Sequence, residues 1–454
     1  MKKGFSSRGF EAIVENALKR KSITKSFGMG TESFEQQIYE RAFATDNAIE
    51  IQTEDTLQKD IRRAFGRSGE NSASIGAHPD FAHLVGTKDQ EYHHISSLFL
   101  DIKNSTRLSF LYDLEDVVWI KDSILKAASE TVRGMDGYVH RFMGDALLAF
   151  FGSKNKNRDD SIIDAINCAA VLESLMVGTI IPFLESRNFD AAYLGFRIGL
   201  DFGPDEKVLW ASYGFKEVNE ITATSFYVDV AAKLQSMARK NTAMLGENIL
   251  DTIDFPNDYV QKKVITVKGE RTEVDHLNKV YSDRDGLQHR YKVRELKHDA
   301  YRDLLPYTPD LKQEFPGTQI ISAEGIDFKC YAKDGENFKE YYSVSQSLKK
   351  NVDLQFKVLI SRVSYKKYNF PLSVKFTKRN YGREAQLKTQ AGVFQKMEIP
   401  VTITHQDITS GFFRGQTVIE NESTSYRGLH TMEAQVKDAN GQVLFRDIIG
   451  VYIE

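Results

Sequence analysis

Two short stretches decide how this chain reads: Ile95–Thr106, ISSLFLDIKNST, and Arg141–Gly152, RFMGDALLAFFG. In the first, the apolar run Ile95–Leu100 has the pattern of a buried strand. Asp101 follows directly, so its carboxylate stands at the C-terminal end of that strand, and Ile102–Thr106 forms a small polar turn entering a helix. In the second, Gly144 marks a turn and Ala146–Phe151 returns as an apolar strand, a hairpin with Asp145 at its tip. If the two strands are neighbours, both carboxylates converge at one end of a sheet. Two carboxylates there repel unless divalent cations lie between them, and Mg²⁺ takes a few carboxylate oxygens together with substrate phosphates. Taken singly, either Asp after a strand is more often a turn or helix cap.

Around these stretches, residues 91–285 alternate strand and helix patterns. Val117, Ile120, Ile124 and Ala128 keep one helical face, and Ile162, Ile163, Ile166, Ala169 and Ala170 keep another behind the cap candidates Asp159 and Asp160. Leu194, Phe196, Ile198 and Leu200 alternate as a half-buried strand, Val228–Arg239 is an amphipathic helix, and Val264–Val267 is a short β-branched strand. Residues 1–90 are mostly polar and helical, an arm expected to pack on its own domain or on a partner. Residues 286–317 are charged and punctuated by Pro306, Pro309 and Pro316, which reads as a linker. Residues 318–454 carry many short alternating strands, with Asn440-Gly441 the strongest hairpin signal, and read as a β-sandwich. The expected fold class is α+β.

A length of 454 residues fits two to three domains. With 60 Lys and Arg against 63 Asp and Glu, the formal charge of −3 leaves no global basic field for nucleic acid or anionic lipid. Hydrophobic residues at 41% and charged ones at 27% exclude a largely disordered chain. Cys168 and Cys330 cannot build a disulfide framework, which points to a reducing compartment. Neither a secretory signal nor a run of ~18 apolar residues is present, so a cytoplasmic protein without a membrane span is expected.

Further residues join the two carboxylates. The backbone N–H groups of Asn104, Ser105 and Thr106, at a helix N-terminus, suit phosphate oxygens. Lys233 lies on the Val228–Arg239 helix and Lys268 in VKGE; either alone reads as a solvated surface charge. Taken together and in order, FLDIKNST, RFMGDALLAFF, VDVAAKL and VKG resemble the catalytic domain of class III nucleotidyl cyclases over Glu91 to about Asp285. The resemblance implies a palm-like βαββαβ domain that dimerises to form its active sites. It makes Asp101 and Asp145 ligands of two divalent metal ions, Mg²⁺ or Mn²⁺, assisted by the Ile102 carbonyl. It places the triphosphate on the amides around Asn104–Thr106 and the terminal phosphates on Lys268 from the other protomer. The implied reaction is attack of the ribose 3′-hydroxyl on the α-phosphorus, with pyrophosphate leaving. Two positions depart from the family: Asp229 stands where an Asn orients the ribose, and Lys233 where an Arg serves the transition state. A carboxylate facing a triphosphate leaves the role of Asp229 open.

The base-reading positions differ too. Members that make cyclic AMP carry a Lys and an Asp where this chain has Arg141 and Thr222. Arg is a fork of donors with no acceptor, suited to a base edge rich in carbonyl oxygens. The replacement resembles the pyrimidine cyclases of bacterial anti-phage (Pycsar) systems, and the C-terminal part looks like the cyclase and SMODS sensor domain. Uracil offers O2 and O4 to the Arg141 donors and cytosine only O2, so UTP is expected first and CTP second as substrate; the resemblance implies a homodimer with interfacial sites, a cyclic-nucleotide-binding effector and an unknown phage-derived trigger. The alternatives are a purine cyclase acting on ATP or GTP, a cyclase-like domain that binds nucleotide without turnover, and a β-sandwich interaction module dimerised by the middle domain. Arg141 also reads as an ordinary partner of a surface carboxylate on its own hairpin. His93-His94 lacks metal-ligand spacing and reads as structural.

Overall fold

In the computed structural model, which describes residues 6–26, 56–76, 78–215, 218–267, 269–403 and 415–454, the Ile95–Lys103 stretch is an inner strand of a mixed sheet. It pairs antiparallel with Ala146–Phe151 on one side and with Gly195–Gly203 on the other. Tyr138–Met143 completes the hairpin on the first side, and Thr242–Gly246 runs parallel beyond the second. Helices Leu114–Gly134 and Arg158–Leu175 fill the crossovers. The order strand, helix, two strands, helix, strand is the βαββαβ arrangement expected for the middle of the chain.

The packing follows from side-chain size. The Arg158–Leu175 helix buries nearly every residue from Asp159 to Leu175, so it is a core helix rather than an amphipathic one. Among the described residues the helical run Arg158–Ser186 is long and apolar enough to cross a membrane, yet 72% of its apolar window lies inside the protein. The helix Phe226–Met237 lies against the Gly195–Gly203 strand. A Cβ at Gly199 would overlap the carbonyl oxygen of Ala231 and the amide of Gln235, so this position sets how closely helix and strand approach.

Compact units divide at Gly246/Glu247, with residues 64–66 joining the second. In the first unit the described helical parts of the N-terminal arm pack on their own domain. Phe10, Ile13, Val14 and Ala17 of the Ser7–Ser26 helix and Leu57 and Ile61 of the helical stretch 56–64 are buried. The Gln58 amide donates to the Glu130 carboxylate at 3.1 Å.

The second unit is a two-sheet sandwich. Ile326–Asp334, Asn337–Tyr341, Asp353–Ile360 and Gln416–Ser423 form one sheet. Leu372–Asn380, Gly428–Lys437 and Val443–Ile453 build the centre of the other. Phe328, Phe356, Phe376, Met432 and Phe445 fill the space between them. The segment 286–317 departs from its reading as a linker. Val293–Leu296 is a strand, Tyr301, Leu304 and Leu305 are fully buried, and the buried Lys312 ammonium meets the Asp447 carboxylate at 2.8 Å. The prolines that suggested a linker punctuate packed turns, with Pro309 opening the helix Pro309–Gln313. Residues 247–285, expected to belong to the catalytic domain, likewise fall in the second unit.

Gly199→Ala is expected to lower stability by about 1–3 kcal/mol through overpacking. Urea unfolding read by circular dichroism checks this; an unchanged midpoint would show that the helix can retreat from the strand at no cost.

Candidate functional site

The sheet register decides which acids meet. Asp101 pairs with Ala146 on one side and with Arg197 on the other. One residue on, the Ile102 amide donates to the Asp145 carbonyl at 3.2 Å, which draws the hairpin tip alongside Asp101. Gly144 makes the turn at φ +66, in the left-handed region that suits glycine. The Ser105 hydroxyl, at the start of the Ser105–Leu111 helix, donates to the Asp145 carboxylate. Asn104 adopts φ 64, a conformation Asn tolerates, and its side-chain amide donates to the Tyr193 carbonyl at 2.8 Å. Asp101, Ile102, Asn104, Ser105 and Asp145 are therefore assembled at one end of the sheet, with the exposed Thr106 one residue further.

A residue that the sequence reading passed over completes this group. Arg197 donates from Nε to one oxygen of Asp101 at 2.8 Å and from a terminal nitrogen to the other. The hydrogen bond to Asp101, then the charges of Asp101 and Asp145, raise the pKa of its guanidinium. A full positive charge thus already faces both carboxylates, and a donor set that accommodates a guanidinium there fits cationic ligands. The signal was a cation, Arg197, in the otherwise mostly apolar strand sequence GFRIGLDFG.

A second group lies on the neighbouring hairpin, Leu209–Phe215 and Val218–Thr224. Arg141 makes an ion pair with Glu220, which shares a strand face with Thr222 two residues on. Arg141 therefore pairs with a carboxylate on the hairpin of Thr222 rather than on its own. Its Nε is buried without a hydrogen-bond partner among the described residues. Asp229 and Lys233 stand exposed one turn apart on the Phe226–Met237 helix, capped by Ser225. Lys268 lies outside the described residues.

Histidines back this region. Burial pushes the His78 imidazole down to about 4, and burial followed by the charge of Arg141 pushes His140 down to about 4. The His78 ring packs 4.1 Å from that of Tyr138 and 5.1 Å from Trp210. Elsewhere, His93, His94 and Asp205 bring ligand atoms within 4.8 Å of one another. This cluster sits at the opposite end of the Ile95–Lys103 strand from Asp101, about 20 Å away by strand rise. The Asp205 carboxylate there accepts from the His94 amide at 3.0 Å, from His94 Nδ1 at 2.9 Å and from Arg158 Nε at 2.8 Å. Arg158 answers the charge of Asp205 there, as Arg197 does that of Asp101.

Comparison with known proteins bears on this geometry. A cytidylate cyclase of Escherichia coli is 36% identical over 464 residues, spanning 100% of this chain and 99% of the relative. The chain belongs to the class III nucleotidyl cyclases. A cytidylate cyclase of Staphylococcus aureus is 33% identical over 424 residues, 92% of this cyclase and 92% of the relative. Residues 307–454 of the cyclase match the Adenylyl/Guanylyl and SMODS C-terminal sensor domain. Among solved structures, the adenylyl cyclase CyaB from P. aeruginosa aligns over 46% of this chain and 95% of its own, with 16% identity and a TM-score of 0.37.

The depressed histidines give the cyclase an acid limit. His78 and His140 titrate near 6.5 when unfolded and about 4 when folded, and His298 of the second unit is pushed down to about 3 by burial. Between those values the unfolded chain binds protons that the folded chain refuses, so stability present above pH 6.5 falls as the pH drops toward 4. Urea midpoints measured across this window should decline steadily, and His140→Gln should make the decline shallower.

Proposed function

We propose that this cyclase converts CTP to cyclic CMP and pyrophosphate, with CTP ahead of UTP. This order reverses the one expected from Arg141 alone, and its support is the name shared by relatives that match nearly the whole chain. The observation that carries the cyclase chemistry is the adjacency of Asp101 and Asp145, fixed by the Ile102 amide. Asp101, Asp145 and the Ile102 carbonyl would hold two divalent ions, Mg²⁺ or Mn²⁺. Such ions, when bound, neutralise triphosphate oxygens and lower the pKa of the ribose 3′-hydroxyl.

The chain's own groups do the rest. Ser105 orients the Asp145 carboxylate, and the amides of Asn104–Thr106 receive triphosphate oxygens. Lys233 and Lys268 offset the charge that builds on the phosphates. Asp229 accepts from a ribose hydroxyl, its own charge balanced by Lys233 one turn on. The 3′-oxygen forms a bond to the α-phosphorus, the bond to pyrophosphate breaks, and the hydroxyl proton passes to water.

The site is shared by two chains in a head-to-tail homodimer. Asp101 and Asp145 come from one chain, and Arg141, Thr222, Lys233 and Lys268 from the other. Unburied apolar side chains support such a face: Phe110 is 86% exposed and Leu114 68%, with Leu111 and Val118 beside them, and Phe215 on the Thr222 hairpin is 77% exposed. The product addresses a cyclic-nucleotide-binding effector in anti-phage defence, with the C-terminal domain answering a phage-derived trigger.

Incubation of the purified chain with Mn²⁺ and each of ATP, GTP, UTP and CTP tests the reading directly; cyclic CMP as the main product is expected. Asp101→Asn or Asp145→Asn should abolish turnover while the protein stays folded and dimeric. Mixing Asp145→Asn chains with Lys233→Ala chains should restore activity, since one heterodimer site keeps every group. Heterodimers that form without activity would place the site within one chain.

A further inference from the structure

We propose that Glu220 reads the cytosine amino group. The proposal rests on the reading above of Arg141 as a base-facing residue, and it names a second residue that selects the substrate. Arg141 and Glu220 are paired, yet their side chains remain 41% and 45% exposed. Ion pairs at such exposure contribute little to stability, so the pair can open toward a ligand at small cost. Glu220 and Thr222 alternate along one strand and share its face, so guanidinium, carboxylate and hydroxyl are presented together. Arg141 keeps a buried Nε–H without a partner among the described residues, a donor that its internal contacts leave unmet.

The pattern of donors and acceptors matches one base edge best. Cytosine presents O2 and N3 as neighbouring acceptors and the N4 amino group as a donor. A guanidinium donates to the first two with parallel N–H groups, and a carboxylate beside it accepts from N4. Uracil replaces N4 by the acceptor O4 and N3 by a donor, so a carboxylate at that place meets an oxygen and repels it. Adenine offers an amino group and one acceptor but has a C–H where cytosine has O2, which leaves an arginine donor unanswered. Arg141 alone favours uracil, the base richer in carbonyl oxygens, whereas Arg141 with Glu220 favours cytosine.

The test uses the full-length chain with Mn²⁺ and compares kcat/KM for CTP, UTP and ATP in the wild type, Glu220→Gln, Glu220→Ala and Arg141→Ala. The expected result is a fall of about tenfold or more in the CTP-to-UTP ratio for Glu220→Gln, whose carboxamide can turn its NH₂ toward O4. A CTP-to-UTP ratio unchanged within about twofold in both Glu220 variants would overturn the proposal. If Arg141→Ala shifts that ratio while the Glu220 variants do not, the fault lies with Glu220 and not with the reading of the site. Displacement of a fluorescent nucleotide by CTP and by UTP, in Ca²⁺, reads the same ratio without turnover. It therefore decides for Glu220 even if a variant loses all activity, or if the wild type binds nucleotides without cyclising them.

Discussion

The hydrogen bond from the Ile102 amide to the Asp145 carbonyl forces two carboxylates toward each other, and much of the first unit is arranged around that cost. Like charges at a sheet end repel, and the repulsion grows where water is partly excluded. The fold answers it with a guanidinium from the strand on the other side, Arg197, and with a hydroxyl from the helix that follows, Ser105. Both answers depend on register. Arg197 reaches Asp101 because the two are paired across the ladder, and a shift of one residue would turn either side chain to the opposite face. The tight approach at Gly199, two residues along the same strand, holds the Asp229 and Lys233 helix against this frame. Sheet register, turn geometry and helix distance thus converge on one small region.

The readable parts of the chain were those with local signals. The buried strand, the hairpin with Gly144 at its turn, the helix bearing Asp229 and Lys233, and the Asn440-Gly441 hairpin follow from apolar periodicity and turn chemistry. Arg197 and Glu220 lacked such signals. Each is a charge in a strand, and its meaning comes from a partner on another strand, which sequence spacing does not state. The same gap bears on the proposed substrate order. Arg141 supplies donors, and donors alone favour the base richest in carbonyl oxygens; the acceptor beside it is supplied by another hairpin. The segment 286–317 misled for a different reason. Its prolines and charges hide Tyr301, Leu304 and Leu305, whose burial depends on a partner surface far along the chain.

The two units use charge differently. In the first, the acids at the sheet end stay partly accessible, as a group that meets a solute must. In the second, Lys312 and Asp447 pair in full burial, and burial raises the pKa of the Asp447 carboxyl despite its partner. Such a pair is a poor source of net stability but a costly one to break, since removal of either partner strands the other. It ties the Pro309–Gln313 helix to the last strand of the sandwich, Val443–Ile453.

A comparable pairing in the first unit sets the limits of what can be excised from this protein. Asp164, in the middle of the core, is 1% exposed, and its carboxylate is held by Arg67 and Lys156; Arg67 also donates to Asp136 at 3.1 Å, and Arg62 shares that acid. Two of these three cations belong to the segment before Glu91, where the likeness to cyclase catalytic domains begins. A piece trimmed to that likeness would keep a buried acid and shed half of its counter-charge, along with the apolar cover of Leu57 and Ile61. The stretch that carries the cyclase motifs and the stretch that buries Asp164 with its cations are therefore different lengths of the same chain, and the longer one includes the arm.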